Sequence, residues 1–316
     1  MLAAIEVRNL TKTYKTRGAE PVHAVRGIDL HVEEGEILAF LGGNGAGKTT
    51  TIEILEGFRP RSSGEVRVLG EDPATAPLSW RENVGVVLQE SEADRDLTAR
   101  ESLQLYSSYY ADPRPVEETL ELVGLREHGD QRARRLSGGQ KRRLDLAVAL
   151  IGDPKLIFLD EPTTGFDPSA RREAWGMVEN LRSVGATVLL TTHYMDEAES
   201  LSDRIVVISN GLIAAEGTAA DLAEKVELLT VVSWDPAEVP LDAVPEKFAA
   251  AATAADGMFR VETDDVAPLV HALTGHAVSN GSTFDSLSVQ RPNLEDTFLR
   301  LTDTTATTET TDEASS

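Results

Sequence analysis

The 316-residue sequence contains no cysteine, which excludes disulfides, thiolate metal sites and cysteine nucleophiles. A chain without thiols fits a reducing compartment. No apolar run approaches the ~18–20 residues that a membrane-spanning helix needs, and Met1 to Val7 lacks the basic head and apolar stretch of a signal peptide. The expected location is the cytosol. Basic residues are also scarce: 30 Lys and Arg face 53 Asp and Glu, a net charge of −23. Such a surface repels phosphate backbones, so general affinity for nucleic acid is not expected. The imbalance is uneven, because from Val226 onward 16 acids face 4 bases, a net of −12. That shift predicts a domain boundary near residue 225.

Glycine is concentrated where phosphate chemistry needs it. Gly42, Gly43, Asn44, Gly45, Ala46, Gly47, Lys48, Thr49 and Thr50 lie between an apolar strand-like run (Ile37 to Leu41) and a helix-like one (Thr50 to Leu55). Four glycines let successive N–H groups converge on a triphosphate. A helix starting at Lys48 or Thr49 aims its unpaired N–H groups and positive dipole end at the same anion. The spacing sends Lys48 to the β and γ phosphates and the Thr49 hydroxyl to Mg²⁺.

A second anion-binding helix start follows at Leu136, Ser137, Gly138, Gly139 and Gln140, leading into a helix over Lys141 to Ile151. Leu156 to Leu159 then delivers Asp160 and Glu161 at the end of a buried parallel strand, where open α/β sheets bind ligands. One carboxylate suits a phosphate-bound Mg²⁺ and the next an attacking water, so Asp160 is assigned to the metal and Glu161 to the water.

The remaining pattern alternates strands and helices through residue 225. Strands are expected at Ala4 to Leu10, Arg26 to Val32, Glu65 to Leu69, Val84 to Leu88, Thr187 to Leu190, Arg204 to Ile208 and Leu212 to Ala215, the last two joined by an Asn210-Gly211 hairpin turn. Thr98 and Glu101 have capping-box spacing before a helix reaching Tyr109 and Tyr110, and Pro115 to Val123 forms another, together a helical insertion. Helices are also expected at Ser169 to Val184 and Met195 to Leu201. A smaller α+β domain follows: strands at Leu228 to Trp234, Met258 to Glu262 and Ser286 to Gln290, and helices at Val266 to Leu273 and Leu294 to Leu301. Thr302 to Ser316 is threonine and acid, with the composition of a disordered tail. His23, His31, His128, His271 and His276 have no metal-ligand spacing.

In this order the phosphate loop, Leu-Ser-Gly-Gly-Gln, Leu-Ile-Phe-Leu-Asp-Glu-Pro and a strand ending at His193 resemble the nucleotide-binding subunit of ATP-binding cassette (ABC) transporters, over Ala4 to Glu224. The resemblance implies a P-loop NTPase fold of ABC type: a parallel core sheet, an antiparallel β layer and a helical subdomain over 1–225. An accessory α+β domain (226–302) and the acidic, Thr-rich tail (303–316) follow. It also implies roles: Tyr14 stacks on adenine, Gln89 approaches Mg²⁺ and faces the membrane partner, and Leu136 to Gln140 form the signature motif. Asp160 becomes the Walker B aspartate, Glu161 the catalytic glutamate, Asp167 the D-loop residue and His193 the switch histidine on the γ phosphate. ATP and Mg²⁺ are the implied cofactors. Two copies of the chain, or this chain and a relative, are expected to close head to tail over two ATP molecules, each signature covering the other's nucleotide.

Val84 to Gln89, Leu97 to Glu101 and Pro292 to Thr302 resemble the daunorubicin-resistance branch of exporter ATPases, which work with a separate integral membrane permease. This implies export of a drug-like or lipid-like molecule from the cytoplasmic face of the membrane. The competing expectation is a stand-alone ATPase of the same fold acting on ribosomes or nucleic acid. Two departures stand out: Gly43 replaces a frequent proline, and Phe166 a usual leucine.

Overall fold

The computed structural model describes residues 3–15, 18, 20–87, 95–183, 185–225, 229–281, 284–290 and 297–298, without the side chains at 168, 169 and 183. Residues 1–219 and 220–304 form two compact units.

The first unit opens with β1 (Ala3–Tyr14), β2 (Val22–Glu33) and β3 (Ile37–Leu41), then α1 (Lys48–Leu55), β4 (Ser63–Val68), α2 (Leu78–Arg81) and β5 (Val84–Val87). The helices α3 (Ala99–Ser107), α4 (Val116–Leu122) and α5 (Gly138–Leu150) come next. Then follow β6 (Leu156–Asp160), α6 (Pro168–Ser183), β7 (Thr187–Thr192), α7 (Met195–Leu201), β8 (Arg204–Ser209) and β9 (Leu212–Gly217). Two sheets result. One is a six-stranded sheet in the order β5-β6-β7-β3-β8-β9, parallel except for the antiparallel edge strand β9. The other is an antiparallel layer in the order β2-β1-β4.

Every residue of β3 is buried, as expected of a parallel strand covered on both faces. Its Leu38 and Phe40 share one core with Leu156 and Phe158 of β6, Ile28 of β2, Val66 and Val68 of β4, and Ile52 and Leu55 of α1. Each such side chain contributes roughly 1.5–3 kcal/mol by leaving water. Trp80 closes this core and donates its indole N–H to the Val68 carbonyl at 2.9 Å. The glycine-rich loop after β3 therefore leaves from the middle of a fully packed sheet.

Several elements differ from the expected spans. β1 continues to Tyr14 because Thr13 and Tyr14 still pair with His23 and Val22. The helix expected to reach Tyr110 stops at Ser107, where Ser107 and Ser108 turn their hydroxyls onto the Gln104 and Leu105 carbonyls, at 2.8 and 2.6 Å. Its start agrees with expectation: Thr98 and Glu101 form both bonds of a capping box. Asn210 and Gly211 take positive φ values of 50° and 77°, the signature of the hairpin turn read there.

The second unit has α8 (Ala219–Lys225) at its start, then β10 (Thr230–Trp234), α9 (Glu246–Ala249), β11 (Thr253–Ala255), β12 (Met258–Thr263), α10 (Val266–Ser279) and β13 (Ser288–Gln290). Its antiparallel sheet runs β11-β12-β10-β13. Trp234, Val261, Phe248, Leu269 and Leu273 form its core, and the Trp234 indole donates to the Val239 carbonyl at 2.9 Å. α10 passes Leu273 and Gly275 because Ala277, one turn beyond Leu273, is also buried. Of the expected final helix over Leu294 to Leu301, only 297 and 298 lie within the described residues, and both are helical. The tail lies outside them.

Candidate active site

The phosphate loop connects β3 to α1. Gly47 caps α1 at φ 110°, with its Cβ position 2.5 Å from the Ala24 carbonyl oxygen, so only glycine fits. No side chain caps this helix start, and its first N–H groups remain available to an anion. The loop is braced from outside: the Gly211 N–H donates to the Ala46 carbonyl at 2.9 Å, and the Arg26 N–H to that of Gly211 at 2.8 Å. At Gly43 an added Cβ meets nothing within 4 Å.

Lys48 is buried and donates its ammonium to the carbonyls of Gly42 (2.7 Å) and Gly43 (3.2 Å). Burial pulls its pKa below the ordinary value, opposed by the charges of Glu161 and Asp160. Its Nζ lies 3.7 Å from Glu161 Oε1. That oxygen is also 3.4 Å from His193 Nδ1, a buried nitrogen with no hydrogen-bond partner. One carboxylate thus stands between the lysine of the loop and the histidine ending the next strand.

The pleat and strand order place these groups. β6 and β7 are parallel neighbours with Asp160 opposite Thr191. The Thr191 hydroxyl donates to Asp160 Oδ1 at 2.6 Å and accepts the Glu161 N–H at 2.9 Å. Glu161 adopts φ 44°, a left-handed conformation that costs a non-glycine residue on the order of 1–3 kcal/mol. Its side chain accepts from the Thr164 hydroxyl at 3.0 Å. Beneath the turn, buried Arg142 of α5 donates to the carbonyls of Pro162 and Asp160, each at 3.1 Å.

Of the other expected residues, Thr49 is exposed in the first turn of α1. Tyr14 reaches the next residue, its hydroxyl 3.1 Å from that of Thr50 and its ring near the cations of Lys12 and Arg59. Gln89 lies outside the described residues. Ser137, Gly138, Gly139 and Gln140 line a separate open cavity of about 580 Å³ with Thr164 to Asp167, and no residue of the phosphate loop lines it. Ser137 and Gln140 form a full capping box, and Asp167 caps α6 by accepting the Ala170 N–H at 2.9 Å. The expected residues therefore fall into two groups on one unit, the loop with Glu161 and His193, and the second helix start with Asp167.

The ABC transporter family pattern matches residues 25–164. The Nod factor export ATP-binding protein I of Burkholderia pseudomallei is 37% identical over 310 residues, covering 95% of this chain and 97% of that protein. The chain belongs to the ABC transporter ATP-binding family. This ABC subunit is also 42% identical over 224 residues to the daunorubicin/doxorubicin resistance ATP-binding protein DrrA of Streptomyces peucetius, covering 69% of the chain and 66% of that protein. Its fold matches the dimeric ATP-binding cassette MJ0796 bound to ADP and Pi with a TM-score of 0.60 and 27% identity, over 68% of this chain and 98% of that one. The ABC subunit is an ATPase homologous to export ATPases.

Sequence reasoning left three supports of the ABC site without a role: Thr191, Arg142 and the Asn210-Gly211 turn. A threonine two residues before His193, on a strand parallel to that of Asp160, was the available signal for Thr191. The turn itself is legible as Asn-Gly, but nothing local marks its bracing of the loop or that of Arg142, because the partners are backbone groups distant in sequence.

Proposed function

We propose that this chain binds Mg-ATP between Tyr14 and the phosphate loop, hydrolyses it with Glu161 polarising the attacking water, and so drives a separate membrane permease. The observation that carries the reading is Glu161 Oε1 standing 3.7 Å from Lys48 Nζ and 3.4 Å from His193 Nδ1. Lys48 and the loop amides bear phosphate charge, and His193 holds the γ phosphate. Ser137, Gly138, Gly139, Gln140 and Asp167 serve the nucleotide of an opposing copy, which fits their cavity lying apart from the loop.

The oxygen donors of Thr49 and Asp160, the latter oriented by Thr191, suit a hard cation. Among the described residues no three His, Cys, Asp or Glu side chains converge on a metal position. This favours an ion that takes its other ligands from nucleotide phosphates and water. When bound, Mg²⁺ neutralises phosphate charge as the γ phosphoryl group is transferred. Gln89 is assigned to the same shell.

No described helix is long and apolar enough to cross a membrane. In this reading the cargo path belongs to a separate permease, at whose cytoplasmic face the subunit works. The names of the relatives, Nod factor export and daunorubicin/doxorubicin resistance, favour export of a lipid-like or drug-like molecule. Residues 226–302 act as an accessory domain in that assembly. A tagged pull-down from detergent-solubilised membranes and from cytosol, read by mass spectrometry, tests the reading. A multi-span membrane protein, released or retained according to ATP, is the expected partner. Ribosomal or DNA-bound partners without one would overturn the transport role and leave the ATPase chemistry.

A further inference from the structure

His193 is held in the site without a hydrogen bond to Nδ1. A histidine's orientation is normally set by the hydrogen bond of its second nitrogen, yet its Nδ1 is buried, 3.4 Å from Glu161 Oε1, with no hydrogen bond. What holds the ring is packing. The Tyr194 ring lies against it, centroids 4.1 Å apart and planes inclined by 40°. The Arg171 guanidinium carbon in turn sits 3.8 Å from the Tyr194 centroid, close enough for a planar cation to stack on the ring.

Arg171 is tethered at one end, its buried Nε having no hydrogen-bond partner. Its Nη1 is 3.4 Å from Asp196 Oδ2. Nearby, Glu197 is wholly buried, neither carboxyl oxygen has a hydrogen-bond partner, and burial pushes its pKa upward against the pull of the Arg171 charge. Arg171 also belongs to the first turn of α6, and its N–H donates to the Asp167 carbonyl at 2.9 Å.

We propose that Arg171 and Tyr194 are positioning residues for ATP hydrolysis: the guanidinium holds the Tyr194 ring, and the ring holds the His193 imidazole against Glu161. The start of α6 thereby sets the aim of His193, and a shift of the Asp167 turn reaches the reacting phosphate through two stacked groups. The proposal rests on the reading of His193 as the γ-phosphate ligand. It adds that the aim of the histidine depends on side chains outside those assigned to nucleotide and metal.

Steady-state ATPase kinetics of the full chain test it, with His193→Ala as reference and binding of a fluorescent ATP analogue as the check that each variant is folded. Tyr194→Ala and Arg171→Ala are expected to lower kcat about ten-fold with KM for ATP within about two-fold, since a misaimed group costs rate rather than affinity. Tyr194→Phe, which keeps the ring, should restore kcat to within about two-fold, and Arg171→Lys, which keeps the charge without the plane, should fall between. Because the two side chains act in series, the double alanine variant should lose no more than the worse single one. Additive losses, an unchanged kcat, or equal changes in kcat and KM would overturn the proposal. If Arg171→Ala does not fold, the Tyr194 pair decides alone. An active His193→Ala removes the underlying reading as well, whereas an inactive His193→Ala beside fully active stack variants removes only this inference.

Discussion

The Thr191 hydroxyl donates to Asp160 Oδ1 at 2.6 Å while accepting the Glu161 N–H at 2.9 Å, so one buried side chain fixes both carboxylate-bearing residues. Thr191→Val keeps the shape and removes both bonds. A hydrogen bond to a charged group contributes about 1.5–3 kcal/mol, so Mg-dependent turnover and urea stability should both drop, and Thr191→Ser should recover most of each. Wild-type kinetics and midpoint in the valine variant would mean that the two bonds do not organise the turn.

Glu161→Gln is expected to bind ATP with near wild-type affinity while turnover falls by ~10²–10⁴, the usual contribution of a general base. With hydrolysis blocked, ATP should trap the closed pair of subunits, visible as a dimer by size-exclusion chromatography. Full ATPase activity in this variant would take the water-activating role away from Glu161.

Gly43 retains freedom that the loop does not use. Its Cβ position is open, and its φ is not among the positive values. Gly43→Pro should therefore tighten nucleotide binding by about 0.4–1 kcal/mol, roughly two- to five-fold in Kd, by restricting the loop before nucleotide orders it. Unchanged affinity measured by calorimetry would remove conformational entropy as the reason.

Glu56 gives stability a pH dependence. This buried carboxyl is pushed from 4.5 to about 8, first by burial and then by the charges of Asp160 and Glu53. The folded chain keeps the proton that the unfolded chain sheds above pH 4.5, so the stabilising contribution is complete below that pH and is lost as pH rises through about 8. Glu56→Gln should flatten this slope and stabilise the protein at pH 8 by on the order of a few kcal/mol relative to wild type. Urea midpoints at pH 5 and pH 8 that shift equally in the variant would exclude the linkage.

Much of the site was legible because its chemistry is local. The glycines and Lys48 of the loop, the carboxylates after Leu156 to Leu159, and the serine of the second helix start each act through consecutive residues. The fully buried β3, and Asp160 ending β6 with Glu161 next in the chain, agree with the strand placement read there. The end of α3 was misjudged because the side-chain bonds of Ser107 and Ser108 outweigh the helical spacing of Tyr109 and Tyr110.

By itself the sequence determined the alternation of strands and helices, the phosphate loop and the order of the chemical groups, since backbone propensity, side-chain period and capping are properties of neighbouring residues. Only the tertiary structure decided that β7 lies between β6 and β3, so that Thr191 reaches Asp160 and Glu161 reaches both Lys48 and His193. It likewise decided that Arg142 braces the carboxylate turn from α5 and that Arg171 stacks on Tyr194. Those contacts join residues far apart in the chain, and the crossovers and core packing that bring them together depend on the whole unit.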